Sequence, residues 1–153
     1  MYFKDRYDAA HLLIPDIEKY CDDNAVIMAV PRGGVPIACH IAKTFHFQLD
    51  LLMSRKIGHP GYSEFAIGAA TSDNYILDTK FRLPEPYIQH EISQIRQSMR
   101  ERYEIMTDGR ATVDIKDRTV IVVDDGVATG YTILAGIALM RSLEAKKSLW
   151  SSL

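Results

Sequence analysis

Two adjacent carboxylates, Asp124 and Asp125, end the apolar run "TVIVV" (119–123). A core has no use for two like charges side by side, so water or a ligand must face them. Gly126, Val127, Ala128, Thr129 and Gly130 follow, and "YTILAG" (131–136) opens a helical pattern. The first N–H groups of a helix lack internal partners, and with the hydroxyls of Thr129, Tyr131 and Thr132 they make a phosphate cradle. Carboxylates suit sugar hydroxyls or a hydrated cation, while the N–H nest suits a phosphate monoester. A sugar 5-phosphate satisfies both. Either half alone is also how an ordinary solvated turn reads, so the informative feature is their fusion in one strand–acid–acid–loop–helix unit.

Two other phosphate loops do not fit. No lysine follows Gly130, so the P-loop pattern is absent. The spacing of Gly126 and Gly130 is not that of the dinucleotide fingerprint, which weakens a nucleotide-sugar or methyl-donor enzyme on a Rossmann-like sheet.

Apolar periodicity supplies the scaffold. Residues 8–21 place Ala10, Leu13, Ile14 and Ile17 at helical spacing, and Pro15 is expected to kink or split that helix. "AVIMAV" (25–30) reads as a strand covered on both faces. "PRGGVP" (31–36) interrupts it, and Val35, Ala38, Ile41, Ala42 and Phe45 then mark a helix face. "LDLLMS" (49–54) predicts a second strand. The next stretch, from Arg55 to Leu83, is turn-rich in its first half, and "FAIGAA" (65–70) can pair with "YILD" (75–78) as a small antiparallel ribbon. From Pro86 to Met106 a long amphipathic helix is expected, with Ile88, Ile92, Ile95, Met99 and Met106 as its stripe and "DG" (108–109) as its end. The helix after Gly130 runs to about Glu144. Strands alternating with helices imply an α/β fold, an open and mostly parallel sheet flanked by helices, as a single domain over 1–153.

"VIVVDDGVATGYT" (120–132) resembles the phosphoribosyl pyrophosphate (PRPP) signature of the type I phosphoribosyltransferases. The resemblance runs from about Arg6 to Leu143 and is closest to uncharacterised bacterial phosphoribosyltransferase-like proteins. It implies that Asp124 and Asp125 hold the ribose hydroxyls, that Gly126 to Thr132 wrap the 5-phosphate, and that the acids meet Mg²⁺ indirectly, through ligand or water. It makes "PRGG" a pyrophosphate loop, with Arg32, Gly33 and Gly34 at the leaving group. It sets "SRKIGHPGYSEFAIGA" (54–69) where the family carries its flexible catalytic loop, with Arg55 and Lys56 at the foot of that loop as candidate catalytic residues that close over the site and exclude water, and Glu64 as a candidate general base. His59, in a Gly-His-Pro-Gly turn, is a weaker candidate. The implied reaction moves a 5-phosphoribosyl group from PRPP to a nitrogen acceptor and releases pyrophosphate. Ala128 stands where the 6-oxopurine enzymes of the family place an aspartate, which disfavours hypoxanthine and guanine. The helix at 86–106 is an expected insertion, packing over the acceptor side or against a second subunit. The alternative is a binding module that senses PRPP or a nucleotide without catalysis.

Bulk properties narrow the setting. The 153 residues, 47% hydrophobic and 25% charged, are those of an ordinary globular chain. A formal net charge of −2 offers no basic field for nucleic acid or an anionic membrane. No apolar run reaches the roughly 18–20 residues needed to span a bilayer, and "MYFKDRYDAAHLL" lacks a signal-peptide pattern. Cys21 and Cys39 stand alone, as in a reducing cytoplasm. The end "RSLEAKKSLWSSL" suggests a shortened C-terminal part with at most a short serine-rich strand, hence an open sheet edge and a homodimer with weak or absent catalysis.

Overall fold

The computed structural model describes residues 6–19, 24–126 and 130–152. Cys21, Val127, Ala128 and Thr129, all singled out above, lie outside the described residues. The chain forms two compact units: 1–52, 112–127 and 140–153 make the first, and 53–111 with 128–139 the second.

The first unit holds α1 (Arg6–Glu18), β1 (Val26–Ala29), α2 (Gly34–Phe45), β2 (Gln48–Leu51), β6 (Thr119–Asp124) and β7 (Lys147–Ser152). Its sheet runs β2-β1-β6-β7, parallel throughout. Ile27, Ala29, Ile121 and Val123 share one face and pack with Ile37, Ala38 and Ile41 of α2 and with Ala10 and Ile17 of α1. Val26, Met28, Val120 and Val122 alternate to the other face and are buried as well. Burial on both faces is why these strands read as unbroken apolar runs. The short strand expected near the chain end is present as β7.

Two expectations need correction in this unit. Pro15 lies inside one uninterrupted helix and does not split it. A proline removes a single backbone donor, and here its exposed ring leaves the buried side, Ala10 and Ile17, docked on the core. The strand expected over 49–54 stops at Leu51. The buried Asp50 carboxylate accepts the N–H of Leu51 at 2.8 Å and of Val113 at 2.7 Å, and the Leu52 N–H bonds the Ala29 carbonyl at 2.9 Å. These bonds fix the strand end, and Ser54 then begins a different sheet.

That second sheet runs β3-β4-β5, antiparallel, with β3 (Ser54–His59), β4 (Tyr62–Thr71) and β5 (Tyr75–Leu77). The expected ribbon is found, pairing Gly68 with Leu77 and Ala70 with Tyr75. The stretch read as a turn-rich loop is instead a hairpin, β3 and the first half of β4 around Pro60 and Gly61. Its register shifts on both sides of Gly58, which breaks the alternation that would have revealed a strand. Helix α3 (Glu85–Thr107) lays Ile88, Ile92, Ile95 and Met99 against Ile57, Ile67 and Ala70 of this sheet. The buried stripe ends at Met99, and Met106, expected on it, is 40% exposed. The remaining helix, α4 (Tyr131–Ser142), begins in the second unit and ends in the first. Among the described residues no helix is long and apolar enough to cross a membrane.

Candidate functional site

β1 and β6 are neighbours, yet the chain leaves them in opposite directions. α2 carries it from β1 to β2 on one side, while β7 follows β6 on the other. Such a reversal opens a crevice at the carboxyl ends of the two strands, the usual ligand site of an open α/β sheet. Both loops singled out in the sequence start there.

The β1 loop is drawn tight. The Val30 N–H bonds the Val123 carbonyl at 2.9 Å, the Gly34 N–H bonds the Val30 carbonyl at 3.1 Å, and the peptide between Pro31 and Arg32 is cis. Arg32 is exposed. A Cβ on Gly33 would overlap the Asp125 carboxylate, so this backbone lies directly against the second acid. A Cβ on Gly34 would run into the Val123 carbonyl and come within 3.2 Å of the Asp124 Cα. The PRGG segment and the acid pair are therefore brought together.

The two acids are not equivalent, which corrects the picture of a solvated pair. Asp124 is 7% exposed and its Oδ1 accepts the Asp125 N–H at 2.8 Å, so it faces back into its own loop. Asp125 is exposed. Burial pushes the Asp124 carboxyl above its ordinary value, and the Asp125 charge adds to this, against the pull of the Asp125 and Gly126 N–H groups. A folded value above the unfolded one means the native state binds the proton more tightly. Stability from this group is present at low pH and is lost as pH rises through that window. Asp124→Asn should therefore gain stability relative to wild type as pH climbs from about 3 toward neutrality, measured by urea melts. A difference that does not change with pH would contradict this.

In the second unit, Gly130 sits at φ 77° and its carbonyl accepts the Leu134 N–H at 3.0 Å. A side chain there would be strained, so glycine fits the start of α4. Thr132 is half-buried in the first turn. The Tyr131 hydroxyl donates to Asp78 Oδ2 at 2.9 Å. Of the loop candidates, Arg55 reaches Ser98 Oγ on α3 at 3.3 Å. Lys56 pairs with Glu64 across the hairpin at 2.9 Å, with Glu64 almost fully exposed. The His59 ring accepts the Gly61 N–H at 3.1 Å and shapes the hairpin turn.

No group of three metal-ligating side chains occurs among the described residues. With Asp124 turned toward its own amides, a divalent cation at this crevice would draw its oxygens from a bound diphosphate and water, with the exposed Asp125 beside them.

A family model for the phosphoribosyl transferase domain matches residues 7–149. The chain belongs to that family. Two Mycobacterium tuberculosis proteins, from strains CDC 1551 and H37Rv and provisionally named phosphoribosyl transferases, are each 32% identical over 151 residues. The matches cover 95% of this chain and 34% of each relative, so the chain spans about a third of the length of these curated relatives. A crystal structure from Thermus thermophilus is 30% identical with a TM-score of 0.83, covering 99% of this chain and 74% of that one. The purine phosphoribosyltransferase of Pyrococcus horikoshii aligns over 100% of this chain and 74% of its own at a TM-score of 0.59. At 18% identity that likeness shows the fold, which is the type I phosphoribosyltransferase fold. Within this phosphoribosyl transferase domain, sequence reading missed Asp78. The signal was present, since "YILD" ends an apolar run on an acid just as "VIVVDD" does.

Proposed function

We propose that the chain binds PRPP with Mg²⁺ at the β1–β6 crevice and transfers its 5-phosphoribosyl group to a nitrogen acceptor, releasing pyrophosphate. The observation that supports this reading is the close approach of the Gly33 backbone to the Asp125 carboxylate at the switch point, as a diphosphate loop beside a ribose-binding acid would require. Displacement at ribose C1 proceeds through an oxocarbenium-like transition state, so the main task is to stabilise leaving-group charge. Arg32 and the loop amides would hold the diphosphate, and Asp125 the ribose hydroxyls. Mg²⁺, when bound, neutralises diphosphate charge. We treat 1–153 as one functional domain with α3 as its insertion, working in a cytoplasm as a homodimer. A monomer by light scattering would rule out the last point.

Arg32→Ala should weaken PRPP about ten- to a hundred-fold, the scale of charge-assisted bonds, and leave ribose 5-phosphate binding nearly intact. Equal losses for both would show that the two phosphate subsites are wrongly assigned.

One observation favours the sensing alternative. Lys56 and Glu64, both candidates for chemistry, are engaged with each other on the exposed hairpin. Pyrophosphate release over a panel of nucleobases separates the readings. Release with a base that is not hypoxanthine or guanine is expected for the transferase, and binding with no release on any base supports the sensor.

A further inference from the structure

The Asp78–Tyr131 pair belongs to neither the acid pair nor the pyrophosphate turn. Asp78 closes β5 and is held at four points. Its N–H donates to the Ile67 carbonyl at 2.8 Å, and its carbonyl accepts the Phe81 N–H at 3.2 Å. Its Oδ1 accepts the Lys80 N–H at 2.9 Å, and its Oδ2 accepts the Tyr131 hydroxyl at 2.9 Å. Ile67 is fully buried, so the mount is part of the second unit's core. Tyr131 is the first residue of α4 and follows Gly130 at its positive φ.

We propose that Asp78 is a positioning residue which, through the Tyr131 phenol, holds the first turn of α4 in the geometry that receives a phosphate ester. This deepens the function proposed above and rests on it. The helix N–H groups bind an anion well only if they need not be ordered when it arrives. A phenol donating to a carboxylate on a sheet supplies that order from the side, without touching the ligand. The Tyr131 hydroxyl, expected from the sequence to face phosphate, instead commits its proton to Asp78. Ionisation agrees with the geometry. The Lys80 N–H, and next the Tyr131 hydroxyl, hold the Asp78 carboxyl below its ordinary value, and the Asp78 bond pushes the Tyr131 phenol up. The proton therefore stays on the tyrosine across the neutral range.

The test uses Tyr131→Phe, Asp78→Ala and the double variant, with ribose 5-phosphate and inorganic pyrophosphate as probes. Each single variant should weaken ribose 5-phosphate about tenfold, with pyrophosphate affinity and thermal midpoint unchanged. The double variant should be no worse than either single, as expected for one shared bond. In ring-labelled tyrosine NMR, the resonance missing from Tyr131→Phe should titrate above the ordinary phenol range and move down in Asp78→Ala. Unchanged ribose 5-phosphate affinity in the variants of a wild type that binds it overturns the positioning role alone. So do equal losses for both probes with a lower midpoint, or an ordinary phenol titration. A wild type that binds no ribose 5-phosphate overturns the proposed function and the positioning role with it.

Discussion

Gly33→Ala is expected to lower PRPP affinity by about 2 kcal/mol or more, close to thirtyfold, with little change in stability. The added methyl would occupy the place of the Asp125 carboxylate, and that exposed side chain would have to swing away. Under the proposed function the cost falls on the ligand, because a displaced carboxylate would no longer meet the ribose. Gly34→Ala should behave in the opposite way. Its methyl meets the Val123 carbonyl and the Asp124 backbone in a fully buried strand, neither of which can rotate aside. Overpacking of that kind costs about 1–3 kcal/mol of stability. Denaturant melts and calorimetry on the two variants check the contrast, and equal stability loss in both would contradict the assigned contacts.

Asp125→Asn is the second large effect. In the proposed reading the exposed carboxylate accepts the ribose hydroxyls, and charge-assisted bonds of this kind are worth about 1.5–3 kcal/mol. PRPP affinity should fall at least tenfold, read by titration, while melting is unaffected. Asp124→Asn should affect binding less, because its carboxylate is spent on the Asp125 N–H and an amide oxygen can still accept that bond. A larger binding loss in Asp124→Asn than in Asp125→Asn would reverse the roles assigned to the two acids.

Much of the first unit was legible in the sequence, because strands covered on both faces print as unbroken apolar runs. β1 and β6 followed from that rule, and the helix face of Ile41 and Ala42 from apolar residues at helical spacing. The second unit was harder to read. β3 carries Arg55 and Lys56 outward and shifts register beside Gly58, so neither composition nor alternation marks it as a strand. In the acid pair, the sequence shows two like residues, and only the backbone decides that Asp124 completes the strand and turns inward while Asp125 starts the loop. Asp78 differs again: the acid that ends "YILD" is visible in the sequence, but its contact with Tyr131, 53 residues away, is not.

The most direct test is calorimetric titration of the wild-type chain with PRPP in the presence of Mg²⁺, repeated on Asp125→Asn. One saturable site in the wild type, weakened at least tenfold in the variant, is the expected result. The absence of saturable binding to wild type, or identical affinity in the two proteins, would contradict the assignment of the β1–β6 crevice as the PRPP site.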